Sequence, residues 1–237
     1  MTNGKIYLVP NTLGSEQTDH IIPNDVKNIA TSLRFFAVED LKSARRFLRK
    51  IDRSFPIDDS VFFILNKKTS PEDIYKMLKP LKAGSDLGII SEAGCAGIAD
   101  PGAELVAMAH NNKIQVCPLV GPSSILLALI SSGFNGQNFT FHGYLPKERK
   151  QRIKTFKNFE RSAKSERTTH LFMETPFRNM NMLEDLLNEL MDDTLLSIAC
   201  DLTLPTERIH TMTVSQWREN AFDLAKRPAI FSIGSFQ

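Results

Sequence analysis

The stretch Ser91-Glu92-Ala93-Gly94-Cys95-Ala96-Gly97-Ile98-Ala99-Asp100-Pro101-Gly102 holds three Gly and three Ala in twelve residues. It follows the apolar run Leu87–Ser91 and precedes the helical pattern carrying Leu105, Val106, Met108 and Ala109. A strand, a long loop of small residues and a helix make one unit of an open α/β sheet. In such sheets ligands bind beyond the carboxyl ends of strands, and small residues let a ligand approach the backbone. The stretch is therefore expected to bind a ligand. The spacing of Gly94, Gly97 and Gly102 does not fit the dinucleotide fingerprint, and no phosphate-binding P-loop occurs in the chain.

Outward from this loop, short runs rich in Val, Ile and Phe alternate with helical patterns. The first five runs are Lys5–Pro10, Arg34–Val38, Val61–Leu65, Leu87–Ser91 and Ile114–Leu119. A second series follows at Phe139–Tyr144, Thr169–Glu174, Thr194–Leu202, Arg208–Thr213 and Ala229–Ser235, less evenly spaced by helices, which suggests a mixed sheet. Ser70 is expected to cap a helix starting at Pro71, with Asp73 at the reciprocal position and Gly84 just past its end. Asp100-Pro101 repeats that start. Gly121-Pro122-Ser123-Ser124 opens a helix over Ile125–Ser132 that is apolar on nearly every side and reads as buried. The fold class is α/β, with one lobe over residues 1–118 and a second over 119–237, each of a size suited to a small domain.

Composition narrows the function classes. Of 237 residues, 42% are hydrophobic and 24% charged, as in an ordinary globular protein. No apolar run is long enough for a membrane span. The opening MTNGKIYLVP lacks the basic start and apolar core of a signal peptide. Cys95, Cys117 and Cys200 are odd in number and far apart, which suits free thiols in a reducing, cytoplasmic setting rather than a disulfide framework. No zinc-ligand spacing occurs among the cysteines and histidines, so no metal is expected. Net charge is +2, yet Lys147–Arg167 holds nine Lys/Arg against three Glu, leaving −4 on the rest of the chain. That segment is either a phosphate-binding feature or a solvated helix face.

Several strand ends carry polar groups. Glu39-Asp40 ends the second run and could be a plain helix cap. Glu174 ends the run before Thr175-Pro176-Phe177-Arg178, where Arg178 could bind a carboxylate or phosphate or simply pair with Glu174. Leu119–Ser124 turns from strand to helix with backbone N–H groups able to meet a carboxylate. Pro10–Ser15 is a turn at the end of the first strand.

Taken in order, these segments resemble the tetrapyrrole methylase superfamily, and most closely its ribosomal RNA branch of small-subunit 2′-O-ribose methyltransferases. The branch pattern V-P-T-P-I-G-N is matched by Val9-Pro10-Asn11-Thr12-Leu13-Gly14-Ser15, and A-E-D-T-R by Val38-Glu39-Asp40-Leu41-Lys42. S-D-A-G-T-P-G-I-S-D-P-G is matched by Ser91–Gly102, and P-L-P-G-P-S by Pro118–Ser123. G-F-L-P-R-K corresponds to Gly143–Glu148, E-S-P-H-R to Glu174–Arg178, and A-R-E-L-T-K to Ala199–Leu204. The chain departs from the patterns at Ser15, Cys95, Ala96, Ala99, Cys200, Asp201 and Leu204. Asn66-Lys67-Lys68 stands where the branch usually has His-Glu.

The resemblance implies two αβα lobes with S-adenosylmethionine bound in the cleft between them, and a homodimer. It places the cofactor at Pro10, at Ser91, Glu92, Ala93, Gly94, Ile98, Ala99 and Asp100, at Gly121, Pro122 and Ser123, and at Met173, Cys200 and Leu202. Transfer to a ribose hydroxyl needs a proton acceptor, for which Glu39, Asp40, Glu174 and Asp201 are the candidates. Lys147, Arg149, Lys150 and Arg178 are the candidate contacts to ribosomal RNA phosphates. A small-molecule methyltransferase of the tetrapyrrole or precorrin type, and a non-catalytic binder of the cofactor, are the alternatives.

Overall fold

The computed structural model describes residues 2–236. The chain divides between Ser123 and Ser124 into two units.

The first unit is a parallel sheet with helices on both faces. Its strands are β1 (Ile6–Val9), β2 (Phe35–Val38), β3 (Val61–Ile64), β4 (Leu87–Ile90) and β5 (Val116–Pro118), in the order β3-β2-β4-β1-β5. Between them run α1 (Asn24–Ser32), α2 (Leu41–Ile51), α3 (Pro71–Lys82) and α4 (Ala103–Asn111). Strand periodicity divides the core in two. Ile6, Ala37, Leu87 and Ile89 pack with residues of α3 and α4. Val9, Phe36, Val38 and Ile90 point the other way, to residues of α1 and α2. All pairings are parallel, so β1, β2 and β4 deliver their carboxyl ends to one edge of the sheet.

The second unit contains α5 (Ser124–Ser132), β6 (Phe139–Tyr144), α6 (Arg149–Ser165), β7 (Thr169–Met173), a 3-10 turn at Pro176–Arg178 and α7 (Asn179–Glu189). It continues with β8 (Leu195–Cys200), β9 (Arg208–Thr213), α8 (Val214–Asn220) and β10 (Ala229–Gly234). The sheet order is β6-β7-β10-β8-β9. Only β6–β7 is parallel; the other three pairings are antiparallel, so the sheet is mixed. Residues of α6, α7 and α8 share one core with alternate residues of β8 and β10, around fully buried Trp217, Phe156 and Phe231.

Three local expectations are revised. Helix α4 starts at Ala103 with Gly102 as its N-cap, two residues later than a cap at Asp100 would place it, because the Asp100 carboxylate is held elsewhere. Ser70 does cap α3, accepting from the Asp73 N–H, but the Asp73 carboxylate returns to the Ser70 hydroxyl rather than to its backbone. Helix α5 is not buried all round. It lies against β8, β9 and β10 through Ala128, Leu129 and Ser132, while Leu126 and Ile130 remain 52% and 75% exposed. A helix covering one sheet face buries one side only, whatever its composition.

Candidate functional site

The carboxyl edge of the first sheet is built by cross-links among three loops. Asn11, buried after β1, forms an isolated antiparallel bridge with Gly94: its N–H donates to the Gly94 carbonyl at 2.9 Å, and the Gly94 N–H donates back at 3.2 Å. Its side-chain Nδ2 donates to the Ser91 and Glu92 carbonyls at 3.1 and 3.2 Å. Gly94 has φ +69, a left-handed conformation that glycine adopts without cost, and this turn brings its amide to Asn11. Ser91 Oγ donates to Asp100 Oδ2 at 2.5 Å and so closes the loop from its first residue to its tenth. Cys95 Sγ sits 3.4 Å from the Pro122 carbonyl, which joins this loop to the turn after β5. Burial raises the Cys95 thiol above its usual range, so it is poorly suited to be a nucleophile. Gly121 packs so closely on Pro10 that an added Cβ would lie 2.2 Å from the Pro10 Cβ.

Pro10, Ser91, Gly94, Asp100 and the Gly121–Ser123 turn are thus brought together on one edge. Outside this scaffold Glu92, Ala93, Ile98 and Ala99 are exposed, and a Cβ built at Gly97 would meet nothing within 4 Å. Ala99 has φ +60, a strained state for a residue with a side chain. A cavity of about 280 Å³ runs between Asn66, Lys67 and Thr69 on one side and Ala99–Glu104 on the other.

The four candidate carboxylates fare differently. Asp40 caps α2, accepting from the Ser43 N–H at 2.7 Å, and that bond holds it below the usual carboxylate range. Glu174, buried at the end of β7, accepts from Arg178 at 2.6 Å and from the Thr175 N–H at 2.7 Å. Asp201, buried after β8, accepts from Arg227 Nε at 2.8 Å and from the Thr206 hydroxyl at 2.7 Å. Glu39 is the exception: among the described residues its carboxylate has neither an ion pair nor a hydrogen bond. It lines a small pocket with Glu92 and Asp100, and burial, then those two charges, raise its carboxyl above the usual range while Lys67 pulls the other way. The sequence motif marked Glu39; its neighbours Glu92 and Asp100 come from another strand, and no local signal ties them to it.

In the second unit Met173 ends β7 half-buried. Cys200 is fully buried, its thiol pushed up to about 11 by burial and by Asp201, so a ligand there would meet its backbone rather than its sulfur. Leu202 is buried, between Asp201 and Thr203, which both have positive φ. Arg178 is committed to Glu174 on one side, and its buried Nε has no hydrogen-bond partner among the described residues. Lys147, Arg149 and Lys150 are all exposed at the start of α6, but Arg149 is held by Asp185 at 2.7 Å and by Glu189 at 3.2 Å.

No protein-family model matches the chain. Curated proteins do. The chain is 30% identical over 200 residues to "Ribosomal RNA small subunit methyltransferase I" of Synechocystis sp., covering 84% of this chain and 67% of that protein. It is 29% identical over 216 residues to the protein of the same name from Haemophilus influenzae, covering 91% and 72%. Among solved structures, the uroporphyrin-III C-methyltransferase of Thermus thermophilus, determined as a complex with S-adenosylhomocysteine, superposes with a TM-score of 0.57 at 17% identity, over 98% of each chain. At that identity the likeness speaks for the fold.

Proposed function

Because this chain belongs to the ribosomal RNA small subunit methyltransferase I family, we propose that it transfers a methyl group from S-adenosylmethionine to small-subunit ribosomal RNA, at a ribose 2′-hydroxyl. The observation that carries this reading is the cross-linked loop system at the carboxyl edge of the first sheet, in a chain whose relatives are named as methyltransferases of small-subunit ribosomal RNA.

The residues present fit the cofactor. Pro10, Ser91, Gly94 and Ser123 form a buried footing, above which Glu92, Ala93, Gly97, Ile98 and Ala99 are exposed with little side chain in the way, and the open space at Gly97 is where a ligand can reach the loop. Met173, Cys200 and Leu202 are the contacts proposed from the second unit. When bound, the cofactor supplies an electrophilic methyl. The protein's part is positioning: the Asn11–Gly94 bridge and the Ser91–Asp100 bond hold the loops rigid before any ligand arrives. Of the four carboxylates, Glu39 is the one left to take the proton of the acceptor hydroxyl. Asp40, Glu174 and Asp201 are engaged in a cap or in ion pairs. Lys147, Lys150 and Arg178 remain the proposed phosphate contacts.

The same reading makes the chain a cytoplasmic homodimer, and the exposed apolar pair Leu126 and Ile130 on α5 supports a second copy as partner. Light scattering at the 26.7 kDa of one chain would overturn the dimer. Among the described residues no helix is long and apolar enough to cross a membrane.

The test is transfer of labelled methyl to small ribosomal subunits from a strain lacking this protein. The label should appear in ribosomal RNA as a 2′-O-methylnucleoside. Label appearing only with a tetrapyrrole acceptor, or binding of the cofactor with no transfer to either, would replace this reading.

A further inference from the structure

Lys147–Arg167 is the basic segment that composition singles out, yet the fold neutralises much of it. Arg149 and Arg152 pair with Asp185, Arg149 and Lys157 with Glu189, and Lys164 with Asp193. A second cationic run behaves differently. Helix α2, with the residue pair after it, reads LKSARRFLRKIDR over positions 41–53. At 100° per residue, Lys42, Arg45, Arg46 and Arg49 fall within an arc of about 100°. Ala44, Phe47 and Leu48 face the opposite way and are buried in the core. Arg53 follows just beyond the helix, where its carbonyl accepts from Arg49 at 2.6 Å.

All five cations are exposed, and among the described residues none forms an ion pair. The acidic residues nearest in sequence are turned to local duties: Asp40 caps the helix through the Ser43 N–H, and Asp52 accepts from the Ser54 N–H and hydroxyl. Lys50 is the cation of α2 that is paired, with Glu16 at 3.3 Å, and it lies off the stripe. The stripe begins three residues after Glu39, at the sheet edge that carries the glycine loop, and runs about 10 Å along the helix before Arg53 extends it.

We propose that this face of α2 is a docking surface for the phosphate backbone of folded RNA, which it leads toward the loops at the carboxyl edge of the first sheet. The inference rests on the ribosomal RNA reading above for the identity of the RNA. Four arginines among five cations suit phosphate, which guanidinium binds in a fork geometry. A lipid surface is a poorer match, because a helix lying on a membrane inserts an apolar face, and that of α2 is already buried in the protein.

Among the described residues the side chains of Lys42, Arg46 and Arg53 form no ion pair, hydrogen bond or ring contact, so Lys42→Gln/Arg46→Gln/Arg53→Gln removes three charges and leaves the fold intact. Binding to small-subunit RNA is measured between 50 and 300 mM salt, together with the melting temperature, for this variant and for Lys79→Gln/Lys113→Gln/Lys226→Gln, which removes three exposed charges elsewhere. The α2 variant should melt with the parent, lose about 2 from the slope of log K against log salt, and bind about a hundredfold more weakly at 0.1 M salt. The control should match the parent. Equal slopes for the α2 variant and the parent would overturn the proposal, as would loss of binding to phosphatidylserine vesicles with RNA binding unchanged. A transfer RNA serves as a second ligand. If the parent ignores small-subunit RNA but binds transfer RNA through α2, the substrate reading fails and the surface stands; if it binds neither, both fail.

Discussion

Gly121→Ala tests whether the loops at the carboxyl edge of the first sheet are a preformed frame. The added methyl would sit 2.2 Å from the Cβ and 2.4 Å from the Cγ of Pro10, where carbon atoms in contact prefer about 3.5–4.0 Å. Both opposing atoms belong to a proline ring, which cannot rotate aside, so the turn after β5 and the end of β1 must separate by more than about 1 Å. Overpacking of this kind costs about 1–3 kcal/mol, which for a protein of this size lowers the melting temperature by roughly 3–9 °C. The larger effect should fall on function, since a misplacement of about 1 Å at a positioning element is worth on the order of a hundredfold. Gly97→Ala is the companion. A methyl there meets nothing within 4 Å, so it should cost only about 1 kcal/mol for its left-handed backbone, yet it intrudes where the ligand is proposed to approach. Calorimetric titration with S-adenosylhomocysteine and a thermal melt are run on both variants. Gly121→Ala should lose both stability and affinity, and Gly97→Ala mainly affinity. Parental affinity and melting in Gly121→Ala would refute the claim that the Pro10–Gly121 contact sets the geometry of these loops.

Glu39→Gln should reduce methyl transfer about 10²- to 10⁴-fold while cofactor binding is retained. In the parent the raised Glu39 carboxyl must be ionised to accept a proton, so the rate should fall with acidity at a pH above the ordinary carboxylate value of 4.5; a flat acid limb down to that value would remove Glu39 from the role. Asp185→Asn leaves Arg149 and the mostly buried Arg152 without their carboxylate, which their hydrogen bonds otherwise hold below its usual range against the cost of burial. It should destabilise the protein by about 2 kcal/mol in chemical denaturation, and an unchanged midpoint would show the α6–α7 ion pairs to be idle. His170, stacked on Phe159 and 3.0 Å from His142, is depressed from 6.5 to about 4 by burial and by its histidine neighbour. Its neutral form is the folded form, so the stability it protects is present above pH 6.5 and is lost as pH falls from there toward 4. His170→Gln should flatten the melting temperature over that window, and an identical pH profile would assign the acid loss to other groups.

The ten strands of the described residues were legible in the sequence, to within a residue or two, because most strands are short runs of apolar and β-branched residues between turn residues. The glycine–alanine loop, its position after a strand and the family resemblance were equally local, since each depends on residues adjacent in the chain. What the sequence left undecided were the partners of each charge. Glu39 owes its raised carboxyl to burial and then to Glu92 and Asp100, more than fifty residues away, and Asp201 is engaged by Arg227 from the segment before β10. The basic run on α6 and the basic run on α2 look alike in composition. Only the packing of α7 beside α6 shows that the first is largely paired, while α2 keeps its cations. Helix α5 makes the same point for apolar residues: hydrophobicity says that a side chain prefers burial, but the sheet has room for one face of the helix. Periodicity and turn chemistry act over a few residues and can be read along the chain. Electrostatic pairing and the choice of buried face act across space, and the tertiary structure alone decides them.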